Sequence, residues 1–185
     1  MNHPIFLGYK TTYIMKKIIA TLLVFSAFIT AAYAQKINGS FASLREEARI
    51  QMNIDFSEAD IMGMSEAEFT EYEEDWTHDK VQILNLFYEN VNDALKGNLV
   101  VGNYKQETDY TLDLVVRTVN SRGDYDCDLY LYKNLDDGSQ EFVAEALGVN
   151  ARGGKIGTKL NLMKDGAKHT GKELGKFLKK AAKNR

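Results

Sequence analysis

The sequence predicts an α+β two-layer sandwich: a mixed, mostly antiparallel sheet of four or five strands with two main helices on one face. Three observations predict it. Strand-like runs at Tyr110–Val119, Asp126–Lys133 and Gln140–Val149 are joined by short turns, and short connections make antiparallel neighbours. Thr77–Lys96 repeats apolar residues every three or four positions, the stripe of an amphipathic helix. A second stripe of that period runs through Gly157–Lys183.

The 185 residues fit one folded domain, and a hydrophobic fraction of 44% is that of a globular chain. The chain opens on a segment outside that domain. Lys16-Lys17 precede the apolar run Ile18–Phe28, and Ala32-Tyr33-Ala34 supplies small residues for a signal peptidase. This order is that of a secretory signal peptide, and the run is short for a membrane span. Met15 is a more natural start than Met1. Cleavage between Ala34 and Gln35 removes residues 1–34 and leaves 35–185 as a single α+β domain. The expected location is periplasmic or extracellular, without a lipid anchor, since no Cys follows the cleavage point. The removed segment holds Lys10, Lys16 and Lys17 and no acid, so the net charge falls from −3 to −6. Nucleic-acid binding needs the opposite sign.

In chain order, Lys36–Glu47 is a lead-in where Ser40 or Ser43 caps a helical turn carrying Phe41, Leu44 and Ala48. From Arg49 to Asp55 residues alternate, with Ile50, Met52, Ile54 and then Phe56 on one face, a half-buried strand. Ser65 and Glu68 have capping-box spacing, which predicts a short helix over Glu66–Tyr72. In the next helix Val81, Leu84, Phe87, Tyr88, Val91, Ala94 and Leu95 form the stripe, Trp76 staples its start and Gly97 caps its end. Leu99–Val101 adds a short strand.

In the meander the expected core faces are Tyr110, Leu112, Leu114 and Val116, then Cys127, Leu129 and Leu131, then Phe142, Ala144, Ala146 and Gly148. The turns Asn120–Asp124 and Asn134–Gly138 are rich in residues that accept turn conformations. The last stripe is Ile156, Leu160, Met163, Ala167, Gly171, Leu174, Phe177, Leu178 and Ala181, with a break expected near Gly166. Gly171 and Gly175 are expected to face the sheet near Ala144 or Ala146, or another close-packed element.

Chemistry is sparse. The histidines of the predicted domain, His78 and His169, lack metal spacing, and the single Cys127 makes neither a disulfide nor a zinc site. On the core face, Cys127 reads as an inert thiol rather than a nucleophile. Gly153-Gly154-Lys155-Ile156-Gly157-Thr158 lacks phosphate-loop spacing, so no nucleotide or other cofactor is expected. The acids Glu66, Glu68, Glu71, Glu73, Glu74, Asp75 and Asp79 read either as a solvated loop and helix start or as a site for a cation or basic partner. The lysine-rich tail reads either as a packed helix with a solvated face or as a membrane-surface binder, the former favoured.

Ile54–Ser65, the acidic run to Asp75-Trp76 with its following helix, and Gly153-Gly154 leading into Lys172-Glu173-Leu174-Gly175-Lys176-Phe177-Leu178 together resemble a group of secreted Bacteroidetes proteins without an assigned activity. The ending is also similar to that of envelope-assembly domains, namely the lipoprotein activators of penicillin-binding proteins and the amino-terminal domain of TolB. The resemblance implies an α/β sandwich that binds partners and catalyses nothing. It transfers no functional residue.

The expected function is therefore a non-catalytic protein-interaction module of the cell envelope, its partner another envelope protein or a second copy. Two alternatives stand beside it: a small hydrolase of envelope glycans using carboxylates near Asp126, Asp128 or the acidic loop, and the membrane binder. The sheet surface turned away from the helices, with Val115, Arg117, Tyr130, Tyr132 and Val143 at its centre, reads either as an ordinary exposed antiparallel face stabilised by cross-strand aromatic pairs or as the partner face, because Tyr and Arg are enriched in interface cores.

Overall fold

The computed structural model describes residues 36–47, 49–97, 99–104, 107–154 and 156–183. The signal-peptide segment, its cleavage point at Ala34 and Gln35, and the readings placed on Ala48 and Lys155 lie outside them. Gln35–Arg185 forms one compact unit.

Among the described residues there are seven strands: β1 Lys36–Gly39, β2 Arg49–Asp55, β3 Asp60–Ile61, β4 Val100–Gly102, β5 Tyr110–Val119, β6 Tyr125–Asn134 and β7 Gln140–Ala151. The helices are α1 Glu66–Tyr72, α2 Trp76–Leu95 and α3 Lys159–Ala181, with a 3-10 turn at Ala42–Glu46. The sheet order is β1-β7-β6-β5-β2-β4, and β3 extends it beside β5. The meander β5-β6-β7 and the edge strand β1 are antiparallel, whereas β2, β3 and β4 pair in parallel. The sheet thus has more strands than the four or five expected. Both additions, β1 and β3, are too short to show a periodic pattern.

Helices α2 and α3 cover one face. Ile50, Met52, Leu112, Leu114, Val116, Cys127, Leu129, Leu131, Ala144 and Ala146 are buried beneath them. The stripe of α2 is Trp76, Ile83, Phe87, Val91 and Leu95. Val81 was expected in it but is 54% exposed, and Ile83 takes its place. Trp76 is the first residue of α2 and packs edge-to-face on Phe56 and Phe69. At the other end Lys96 and Gly97 both take left-handed backbone, closing the helix. The capping box of α1 is present, Ser65 Oγ accepting from Glu68 N.

Helix α3 is continuous through Gly166 and starts only at Lys159, where Thr158 Oγ1 caps Asn161 N. Ile156 precedes it and is 92% exposed. The glycines of α3 explain its continuity. Gly166 packs against the Gly123 turn, while Gly171 and Gly175 lie against Phe87 and Val91 of α2. The close-packed partner is therefore α2, not the sheet. A helix interior tolerates Gly when the missing side chain is what permits contact.

Strand β7 departs from strict alternation twice. The register of β6 and β7 shifts between Leu131 and Tyr132 and again between Cys127 and Leu129. Each bulge adds one residue and turns the following side chains over. Phe142 consequently sits opposite Tyr132 on the far face and Val149, not Gly148, joins Cys127 in the core. Gly148 supplies the left-handed backbone the second bulge requires, at φ 71°.

Candidate partner-binding face

Alternation along β5 and β6 sends Asp113, Val115, Asp128, Tyr130 and Tyr132 away from the helices. Pairing then sets them in rows. Asn53, Asp113, Tyr130, Glu145 and Asn38 stand side by side across five strands. The next row is Gln51, Thr111, Tyr132 and Phe142. Tyr132 and Phe142 meet edge-to-face at 6.1 Å between centroids, and Phe142 is 47% exposed. Asn53 donates to Asp113 at 2.8 Å. The chain between β4 and β5 is fixed where it passes β2 by Gln51, which accepts from Tyr104 N at 2.8 Å and donates to Asn103 at 3.3 Å.

Arg117 is placed by a third irregularity, between Val116 and Thr118 of β5. Its Nε donates to Asp128 at 2.8 Å and its terminal nitrogen to the Tyr130 hydroxyl at 3.1 Å, with Glu58 3.5 Å away. These hydrogen bonds, Asp128 first, raise its pKa further. The other oxygen of Asp128 accepts from Gly148 N. Asp126 has its carboxyl pushed above the ordinary range by burial and then by the charge of Asp128, with Arg117 pulling the other way. Burial raises the Tyr132 phenol as well, aided by Asp113, Tyr130 and Glu145.

Of the expected face residues, Val115, Arg117, Tyr130 and Tyr132 lie together. Val143 does not join them. It is the extra residue of the first β7 bulge, half-buried against the core. Phe142 takes the place assigned to it, and Glu58, from the loop after β2, completes the charged cluster. Gly148 was the one sequence signal for a bulge in β7, since glycine inside a strand marks such sites.

The remaining candidates separate from this face. Cys127 is fully buried, and burial followed by Asp126 and Asp128 pushes its thiol well up. Within the acidic run Glu66 is structural, accepting from the Trp76 indole and Lys80. Glu73, Glu74, Asp75 and Asp79 line a cleft of about 430 Å³ with Tyr72 and Lys159. Lys159 donates to the Tyr72 hydroxyl at 2.8 Å, and Asp79 lies 3.5 Å from Lys164. Among the described residues no group of three or more His, Cys, Asp or Glu is arranged to hold a metal ion, and no helix is long and apolar enough to cross a membrane. On α3, Lys172, Lys176 and Lys180 face outward while the apolar side is buried.

Fold and surface define a two-layer α+β protein with one sheet face under helices and the other carrying an aromatic and charged cluster. No family model matches the chain, and no curated protein matches it. Two solved structures of PelC from Paraburkholderia phytofirmans, both dodecamers, are similar. A variant is 12% identical over 77% of this chain and 96% of its own, with a TM-score of 0.38. A second crystal form is 10% identical over 76% and 98%, with a TM-score of 0.39. At that level of overlap neither informs on the function or assembly of this chain.

Proposed function

We propose that the chain is a secreted or periplasmic cell-envelope module that binds another protein through the open face of its sheet. The observation that carries this reading is the cluster Val115, Arg117, Tyr130, Tyr132 and Phe142. Its arginine is held by Asp128 and Tyr130, and the Tyr132–Phe142 pair stands further along the same face. Aromatic residues and Arg supply contact area with polar handles and dominate interface energetics. The membrane alternative is weakened by the burial of the apolar side of α3.

The test is a crosslinking pull-down from the native envelope fraction. Tyr130 and Tyr132 both changed to Ser should lose the partner while circular dichroism stays native. The same partners captured by both proteins would refute the reading.

A carboxylate-dependent hydrolase of envelope glycans is the second reading, favoured by the acidic cleft beside Tyr72. It requires glycan turnover that is lost in Glu73→Gln or Asp75→Asn.

A further inference from the structure

We infer that the chain self-associates by seating the tip of the β6–β7 hairpin of one copy in a basic-rimmed apolar groove of a second copy. The groove lies where the 3-10 turn meets the carboxy-terminal ends of α2 and α3. Leu44, Leu95, Leu99 and Ala182 line it, Arg45, Lys179 and Lys183 complete the lining, and its volume is about 230 Å³. None of the ion pairs among the described residues engages Lys179 or Lys183. An occupant that satisfies the groove must bring apolar surface and negative charge together.

The hairpin tip brings both. Leu135 is 38% exposed, and Asp136, Asp137 and Glu141 around it are exposed, with Lys133 the nearby cation. Hydrogen bonds from the Ser139 hydroxyl and backbone hold the Asp137 carboxyl below the ordinary range, so it stays ionised. The tip is already ordered. Leu135 N donates to Ser139 O and Gly138 N to Leu135 O, both at 2.9 Å. A preorganised tip loses little freedom on docking, which favours association. Charge of one sign on the tip and the other at the groove aligns the two copies and disfavours tip-to-tip contact.

The experiment is sedimentation velocity on the compact unit Gln35–Arg185. The wild type should associate reversibly and more weakly as salt is raised. Leu135→Ser, the pair Asp136→Lys/Asp137→Lys and the pair Lys179→Glu/Lys183→Glu should each weaken association by about tenfold or more, with native circular dichroism. Mixing the two charge-reversed proteins should restore it. A wild type that stays monomeric to about 1 mM, variants that associate as the wild type does, or a mixture that fails to associate would each overturn the inference. So would anionic phosphatidylglycerol vesicles that bind the monomeric wild type but not the groove variant, since the groove would then serve a lipid headgroup. The Tyr130→Ser/Tyr132→Ser protein should associate normally, which separates this surface from the open face.

Discussion

Gly175 lies where α3 crosses α2, and replacing it with Leu probes that crossing directly. A β-carbon at this position would stand 2.4 Å from the Val91 carbonyl oxygen, 2.7 Å from Ala94 Cβ and 3.1 Å from Val91 Cα. Carbon–oxygen contacts settle near 3.3–3.6 Å, so α2 must retreat by roughly 1 Å to admit even a methyl group. A gap of that size removes about a quarter to a half of the attraction of each contact it opens. The rest of a leucine side chain has no space between the helices. Against this, glycine inside a helix costs about 1 kcal/mol relative to a good helix former, which the substitution recovers. Overpacking outweighs that gain, and the net loss should be about 1–3 kcal/mol. Urea unfolding of Gln35–Arg185 reads it as a lower midpoint at unchanged slope. Lys172→Leu, on the exposed side of α3, is the control and should move stability by no more than about 0.5 kcal/mol. A midpoint unchanged or raised in Gly175→Leu would show that this face of α3 does not meet α2.

Three further outcomes are expected. Ser65→Ala removes the side-chain half of the α1 capping box and should cost about 1 kcal/mol, read in the same unfolding assay. At Asp124, burial raises the pKa, but hydrogen bonds from Asn120 and Gly153 and the charges of Arg122 and Arg152 outweigh it and leave the carboxyl below its ordinary value. Its stabilising contribution is therefore complete above the unfolded pKa of about 3.9 and lost as pH falls through the lower folded value. Asp124→Asn should flatten the acid limb of stability against pH and leave its slope near neutrality alone; an unaltered acid limb would count against the contact. Mass spectrometry of protein from the native periplasm should find a chain beginning at Gln35, and retention of Ile18–Phe28 would sink the signal-peptide expectation.

Alternation made much of the fold legible. Leu112, Leu114 and Val116, and likewise Cys127, Leu129 and Leu131, are all buried where period two puts them. It failed where the backbone departs from period two. The β7 bulges move Phe142 and Val143 off their expected faces, and neither residue type signals that shift. In α2 the phase error exchanged Val81 for Ile83, because several apolar residues compete for the same turns and only tertiary contact selects among them. The parallel pairing of β2 with β5 joins segments some sixty positions apart, Met52 with Leu112 for example; neither segment carries a local mark of its partner. Glu58 reaches Arg117 for the same reason, through pairing that no spacing rule exposes.

The open face can be weighed against the stability it provides. Antiparallel faces commonly meet water, and a cross-strand aromatic pair such as Tyr132 and Phe142 contributes roughly 0.2–1 kcal/mol. That much is accounted for without a partner. Arg117 is harder to account for in this way. A strand irregularity carries it, at the expense of regular ladder hydrogen bonding. Its ion pairs with Asp128 and Glu58 are partly exposed, and such pairs contribute only about 0–1 kcal/mol. The same irregularity holds the guanidinium in fixed geometry between a carboxylate and a phenol. Stability gains little from that placement, whereas recognition gains a preorganised group whose orientation is settled before contact. This difference is what supports a binding role for the face. It also makes Arg117→Lys a sharper probe than alanine, because lysine keeps the charge and loses the planar fork.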